Sequence, residues 1–222
     1  MTEQHVSPLI FGIYPGGHTD PDMGMAVTPD EPPRIQEALD YLQRGDSPFL
    51  VRGYLPYVDA SSTEEITTKT PVAVEQYARH GRKIDLVLQF RKPDLPGWLA
   101  FIRKAINRYG SMLATLQITE EANVTTTAAV DGCIPQVREA LVRGVIAAKE
   151  EILRAGLDIQ VGFNAALNFD PNNDFWPALV ALGGQPFLDA WITLVSTSSL
   201  TSFARLLMCV ERSLPSSPIF VR

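Results

Sequence analysis

Short apolar runs alternate along the chain with longer amphipathic stretches, and this alternation sets the expected fold. "PLIFGIY" (8–14) is a continuous apolar run that stops at "PGG", which reads as a buried strand and then a loop. "DEPPRIQEALDYLQRG" has the marks of a helix. Asp30 stands at the cap position, Pro32 and Pro33 in the first turn, and Ile35, Ala38, Leu39 and Leu42 on one face, with Gly45 as the stop. The pairing recurs as strand 48–57 with helix 70–81, strand 84–90 with helix 94–110, strand 111–119 with helix 134–156, and strand 158–167 with helix 172–184.

Five βα units in series predict an α/β fold, because apolar strands separated by helices belong to parallel sheets with helices outside. Two architectures fit: a doubly wound sheet and a (β/α)8 TIM-like barrel. No G-x-G-x-x-G follows the first strand, which argues against a dinucleotide-binding sheet. Polar or aromatic residues recur toward the C-terminal ends of the strands: Tyr14, Arg52 and Tyr54, Gln89, Glu120 and Glu121, Asn164. Barrel enzymes gather their sites there. The expectation is an incomplete barrel of about five to six units, with the five clear ones in residues 1–190.

Residues 191–222 change character, with seven serines and apolar residues that keep neither strand nor helix phase. Reading the gene one base earlier from Ala190 onward fixes all but the first base of each codon. That frame is compatible with "LDYVGLDFFPD", an apolar strand ending in Asp, Phe and Pro as a sixth barrel strand would. Serine codons beginning T-C yield apolar residues in that frame automatically, so a genuine Ser-rich tail stays open beside a shifted frame.

The bulk composition narrows the partners. Apolar content of 45% and charged content of 20% allow a full core. A net charge of −6 without a Lys/Arg cluster argues against nucleic acid and anionic membranes. The first residues lack a basic-then-apolar leader, and no uncharged run approaches a membrane span. Cys133 and Cys209 form no framework and read as reduced thiols of a cytoplasmic chain.

The chemistry converges on "LQITEEANV" (116–124), where two acids follow an apolar strand. Neighbouring residues on an extended chain point to opposite faces, so only one of Glu120 and Glu121 is expected to face the strand-end cleft. Glu121 is the choice for the inward position; two solvated residues opening a loop are the alternative. Arg52 requires a carboxylate partner if buried, and Glu121 or Glu120 is the expected one. Tyr14, Tyr54 and Tyr57 offer flat apolar ring faces with a polar tip, or pack in the core or at the rim. Gln89 and Asn164 are placed to bond hydroxyls. Trp98 and Trp176 fall in helical patterns, as helix-to-sheet packing.

Other barrel chemistries thin out. His5, His18 and His80 lie on three segments, without the clustering a metal needs, and no cofactor motif occurs. Lys83 precedes its strand, at the wrong end for a Schiff base. No G-x-S-x-G elbow is present.

With these residues in place, the chain resembles the clan A (β/α)8 glycoside hydrolases. Their fourth strand ends in a Trp-Asn-Glu-Pro pattern often followed by another Asn, and "ITEEAN" is similar to a degenerate version. The resemblance implies Glu121 as acid/base, Asn123 as the trailing asparagine, and Arg52 as the arginine near the catalytic carboxylate. Glu120 stands where the family has the asparagine that binds the sugar 2-hydroxyl, and Ala122 where it has proline. The family nucleophile is a strand-7 Glu, and the expectation is that this chain stops before a strand 7. The resemblance therefore implies a protein acting on O-glycosidic bonds of a carbohydrate, with this product inactive. A non-catalytic carbohydrate-binding barrel and an unclosed fragment are the other readings.

Overall fold

The computed structural model describes residues 10–15, 31–58, 74–167, 173–190 and 192–193. These form an α/β structure around one six-stranded sheet, every pairing of which is parallel. The strands are β1 (Phe11–Ile13), β2 (Phe49–Tyr57), β3 (Lys83–Phe90), β4 (Leu113–Ile118), β5 (Gln160–Phe163) and β6 (Ile192–Thr193). Their spatial order is their sequence order, with no reversal among the described strands. The connecting helices are α1 (Pro32–Gln43), α2 (Val74–Tyr77), α3 (Leu95–Tyr109), α4 (Val137–Ala155) and α5 (Phe175–Ala190). The first part of the predicted helix 70–81 and the tail beyond residue 193 lie outside the described residues.

Winding in one direction with crossovers of one hand places the helices on one face of the sheet. Accordingly α3 packs on α4 and α4 on α5. The strands therefore have two unlike faces. Toward the helices point Val51, Leu55 and Tyr57 of β2, Ile84, Leu86, Leu88 and Phe90 of β3, Leu116 and Ile118 of β4, and Val161 and Phe163 of β5, all in one core. The alternate positions carry Arg52, Tyr54, Asp85, Gln89, Thr115 and Gln117. The strands are thus half apolar, where the sequence pattern had implied apolar throughout.

Helices α3 and α4 set the depth of the core. Buried positions 98, 101, 102, 105, 106 and 109 form the α3 stripe. Asp94 caps that helix by accepting from Gly97 N at 3.1 Å, and its second oxygen accepts from the Tyr57 hydroxyl at 2.8 Å, tying the end of β2 to α3. Trp98 packs as the pattern implies and donates from Nε1 to Ala140 O of α4 at 2.9 Å. Gly144 of α4 lets the two helices and the sheet meet, since a Cβ there would lie 2.8 Å from Ile118 Cγ2 and 2.9 Å from Trp98 Nε1. In α5, Gly184 adopts φ 54° and interrupts the helix where the expected helix 172–184 ends, and Pro186 opens a further turn.

Helix α1 departs from the sequence expectation. Its buried residues are Leu39 and Gln43, while Ala38 and Leu42 are exposed. The cause is Arg82, whose side chain is fully buried just before β3. Its guanidinium donates to Asp40 Oδ1 at 2.6 Å, Gln36 Oε1 at 3.0 Å, Gln43 Oε1 at 3.3 Å and Tyr77 O at 3.0 Å. A buried guanidinium needs such acceptors, so α1 turns its polar face inward.

Among the described strands β1 pairs with β2 alone, and Ile10, Phe11 and Ile13 are exposed. Among the described residues no helix is long and apolar enough to cross a membrane.

Replacing Arg82 strands those acceptors. Arg82→Met is expected to lower unfolding free energy by about 1–3 kcal/mol, through the buried acceptors it leaves unpaired, and Lys83→Met by less than about 0.5 kcal/mol. Urea unfolding of the two variants measures both.

Candidate binding site at the C-terminal ends of the strands

The stretch after β4 is neither extended nor a solvated loop. Thr119 has φ 62° and Glu121 φ 47°, so two non-glycine residues in the left-handed region flank Glu120. A β-branched residue there is a rare and costly conformation, on the order of 1–3 kcal/mol. It persists because surrounding side chains hold the backbone. Gln117 Nε2 donates to Thr119 O at 3.3 Å, Glu120 N to Asp131 Oδ2 at 2.8 Å, and Glu121 N to Asn164 Oδ1 at 2.8 Å. Asn123 then bonds Ala166 twice, donating to its O at 2.7 Å and accepting from its N at 3.0 Å.

These contacts revise the argument from strand alternation. The turn, not the pleat, orients the two acids. The Glu120 side chain is half-buried and its carboxylate accepts from Gln89 Nε2, while Glu121 is buried at 8% exposure. Asn123 and Asn164 are both engaged with main chain, which makes them positioning groups for the turn.

Below this turn lies an ionic layer on the face away from the helices. Arg52 and Asp85 are register partners on β2 and β3, with Arg52 Nε 3.1 Å from Asp85 Oδ2. Arg52 Nη2 donates to Gln117 Oε1, and Thr115 donates to Asp85 Oδ1. Burial opposes the charge on Arg52, but the Asp85 carboxylate prevails and holds its pKa above the usual value. The guanidinium lies 5.7 Å from the Tyr54 ring centroid, and Tyr54 meets Tyr14 edge-on at 5.2 Å. Burial pushes the Tyr54 hydroxyl well above its usual pKa, keeping it neutral. Arg52 thus takes Asp85 as its carboxylate, where sequence reasoning had offered Glu120 or Glu121. The missed signal is the acid inside "KIDLVLQF", one of the few charges in a strand core.

Asp131 is the second residue missed, and it organises the end of β3 and the turn after β4 together. Its Oδ2 accepts from Phe90 N at 2.9 Å as well as from Glu120 N, and its Oδ1 lies 3.3 Å from Arg91 Nε. Arg91 also donates to Ala128 O and Ala129 O, pinning the loop that precedes α4. Gly132 follows because a Cβ there would sit 2.0 Å from Val124 O. In sequence Asp131-Gly132 looks like a surface turn, so nothing local marks it. Burial raises the Asp131 pKa from 3.8 to about 6, against the opposing pull of Arg91 and the two amides.

The remaining candidates lie elsewhere. His80 contacts Asp40 and Lys83 donates to Ser111 O, both at the N-terminal side of the sheet. Trp176 packs on Phe163 with centroids 5.6 Å apart and remains partly exposed. Cys133 is an exposed thiol. Among the described residues no group of three or more His, Cys, Asp or Glu is placed to hold a metal ion. His5 and His18 lie outside them.

The raised Asp131 pKa fixes the sign of a pH effect. Between pH 4 and 6 the folded carboxyl keeps a proton that the unfolded one has lost, so this group's contribution to stability falls as pH rises. Relative to Asp131→Asn, the wild type is expected to lose up to about 3 kcal/mol across that window, from roughly two units at 1.36 kcal/mol each. Denaturant unfolding at pH 4, 5, 6 and 7 measures it.

No protein-family model matches the chain, and no curated protein matches it.

Proposed function

We propose that this chain binds carbohydrate at the C-terminal ends of its parallel strands, on the (β/α)8 plan of the glycoside hydrolases. The carrying observation is that a sheet wound in one direction keeps one face for helices and gives the other to Arg52, Tyr54, Asp85, Gln89 and Gln117, under the Glu120–Glu121 turn. A doubly wound sheet reverses its strand order and places its ligand at the reversal. Sequence-ordered strands fit a barrel instead, whose ligand sits over the strand ends.

On this reading Glu121 is the acid/base of a chemistry directed at O-glycosidic bonds. Tyr14 and Tyr54 supply ring area to a sugar, Gln89 and Glu120 bond its hydroxyls, and Asn123 and Asn164 hold the turn. Glycoside hydrolysis needs a second carboxyl group about 5–9.5 Å from the first. Glu120 neighbours Glu121 in the chain and its carboxylate accepts from Gln89, while the other acids of this region are committed, Asp85 to Arg52 and Thr115 and Asp131 to Phe90 N, Glu120 N and Arg91. That commitment favours binding without turnover in the 222-residue chain.

Two measurements test the reading. In ligand-observed NMR with a panel of mono- and oligosaccharides, at least one is expected to bind with Kd of about 1 mM or tighter, weakened about tenfold by Tyr54→Ala. Absence of binding across the panel overturns the carbohydrate assignment. With 4-nitrophenyl glycosides, release is expected at the buffer rate; turnover that disappears in Glu121→Gln overturns the non-catalytic assignment.

A further inference from the structure

We infer that Glu120, Gln89 and Thr119 form a subsite for a protonated amine, so that the preferred ligand is an amino sugar; this deepens the carbohydrate reading and rests on it. Gln89 is fully buried, its Nε2 donates to the Glu120 carboxylate, and its Oε1 has no hydrogen-bond partner. Reversing the amide would set its oxygen against the carboxylate, so the orphan is an acceptor and not a misassigned donor. Next to Glu120 in the chain, the Thr119 hydroxyl is also buried and unpartnered. A buried polar atom left unpaired is costly, and one on the residue that bonds the Glu120 carboxylate, with another on the residue preceding Glu120, marks a place where a donor belongs.

Charge decides which donor. Arg52 is engaged by Asp85 and Arg91 by Asp131, whereas Glu120 acts on Arg52 only at longer range and makes no ion pair within 4 Å among the described residues. An anionic group with a neighbouring orphan acceptor fits a group that brings both positive charge and several N–H donors. An ammonium provides three donors and the charge; a hydroxyl provides one donor and none. An anionic ligand group is disfavoured on the same grounds.

The test titrates the full chain, by NMR or calorimetry at constant ionic strength and pH 6.5, with D-glucosamine, D-glucose and ethylammonium. The expected result is that glucosamine binds at least tenfold tighter than glucose. Glu120→Gln, which keeps the shape, is expected to reduce that preference to within twofold. Thr119→Val is expected to weaken glucosamine binding while leaving the unliganded protein at least as heat-stable as wild type, because it removes an unpaired hydroxyl. Equal binding of the two sugars, or a preference that survives Glu120→Gln, overturns the amine subsite and leaves the carbohydrate reading standing. Ethylammonium binding that is lost in Glu120→Gln, with neither sugar binding, keeps the subsite and overturns the carbohydrate reading. No binding of any of the three overturns both.

Discussion

A single carboxylate oxygen, Asp131 Oδ2, accepts the backbone amides of Phe90 and Glu120, and the geometry at the strand ends depends on that shared bond. Phe90 is the last residue of β3 and Glu120 the second residue past β4. Two parallel strands cannot bond each other beyond their last paired residues, so their terminal amides need acceptors from elsewhere. Asp131 supplies one acceptor for both, and Arg91 offsets part of the burial of its charge. The loop carrying Asp131 is fixed in turn by Arg91 through Ala128 and Ala129. The turn holding the paired acids is thus braced by chain from three directions: β3, the loop before α4, and Asn164 past β5.

That bracing accounts for the backbone at Thr119 and Glu121. Left-handed conformations at a threonine and a glutamate survive only where surrounding bonds over-determine them. Here the bonds fall on the residues themselves and on Glu120 between them. The result places one acid against Gln89 and buries the other, an arrangement that neither an extended strand nor an unconstrained loop gives. Similar logic holds at the opposite end of the sheet, where buried Arg82 gathers α1, the end of α2 and the start of β3. One end of the sheet is organised by a buried cation and the other by a buried anion.

The legible part of this structure was periodicity. The β2, β3 and α3 patterns were read close to their observed bounds, and so was the α/β class with helices between parallel strands. What escaped was set by partners distant in sequence. The α1 face was assigned from its apolar residues, yet Arg82, some 40 residues on, claims Gln36, Asp40 and Gln43. Arg52 plainly required an acid, but register alone selects Asp85 over Glu120 and Glu121. Asp131 gave no sign, because a buried Asp-Gly and an exposed turn have the same letters. The paired acids were placed on opposite faces of an extended backbone, whereas the chain turns there, with positive φ at Thr119 and Glu121.

The two faces of the sheet also explain why one region concentrates the polar chemistry. A parallel strand covered by helices on one side must present every second residue to the other, and here those positions carry a guanidinium, a carboxylate, hydroxyls and amides. In the lower layer charge and hydrogen bonds pair the groups, Arg52 with Asp85 and Gln117 and Thr115 with Asp85, and the one buried atom without a hydrogen bond there, Arg52 Nε, lies 3.1 Å from Asp85 Oδ2. One layer up, at Gln89, Thr119 and Glu120, they do not close, and two buried oxygens remain unmatched. A polar network confers rigidity where it is complete and carries an energetic penalty where it is not. The network thus closes around Arg52 and Asp85 and opens two residues further on, at Gln89 of β3 and at Thr119 just past β4.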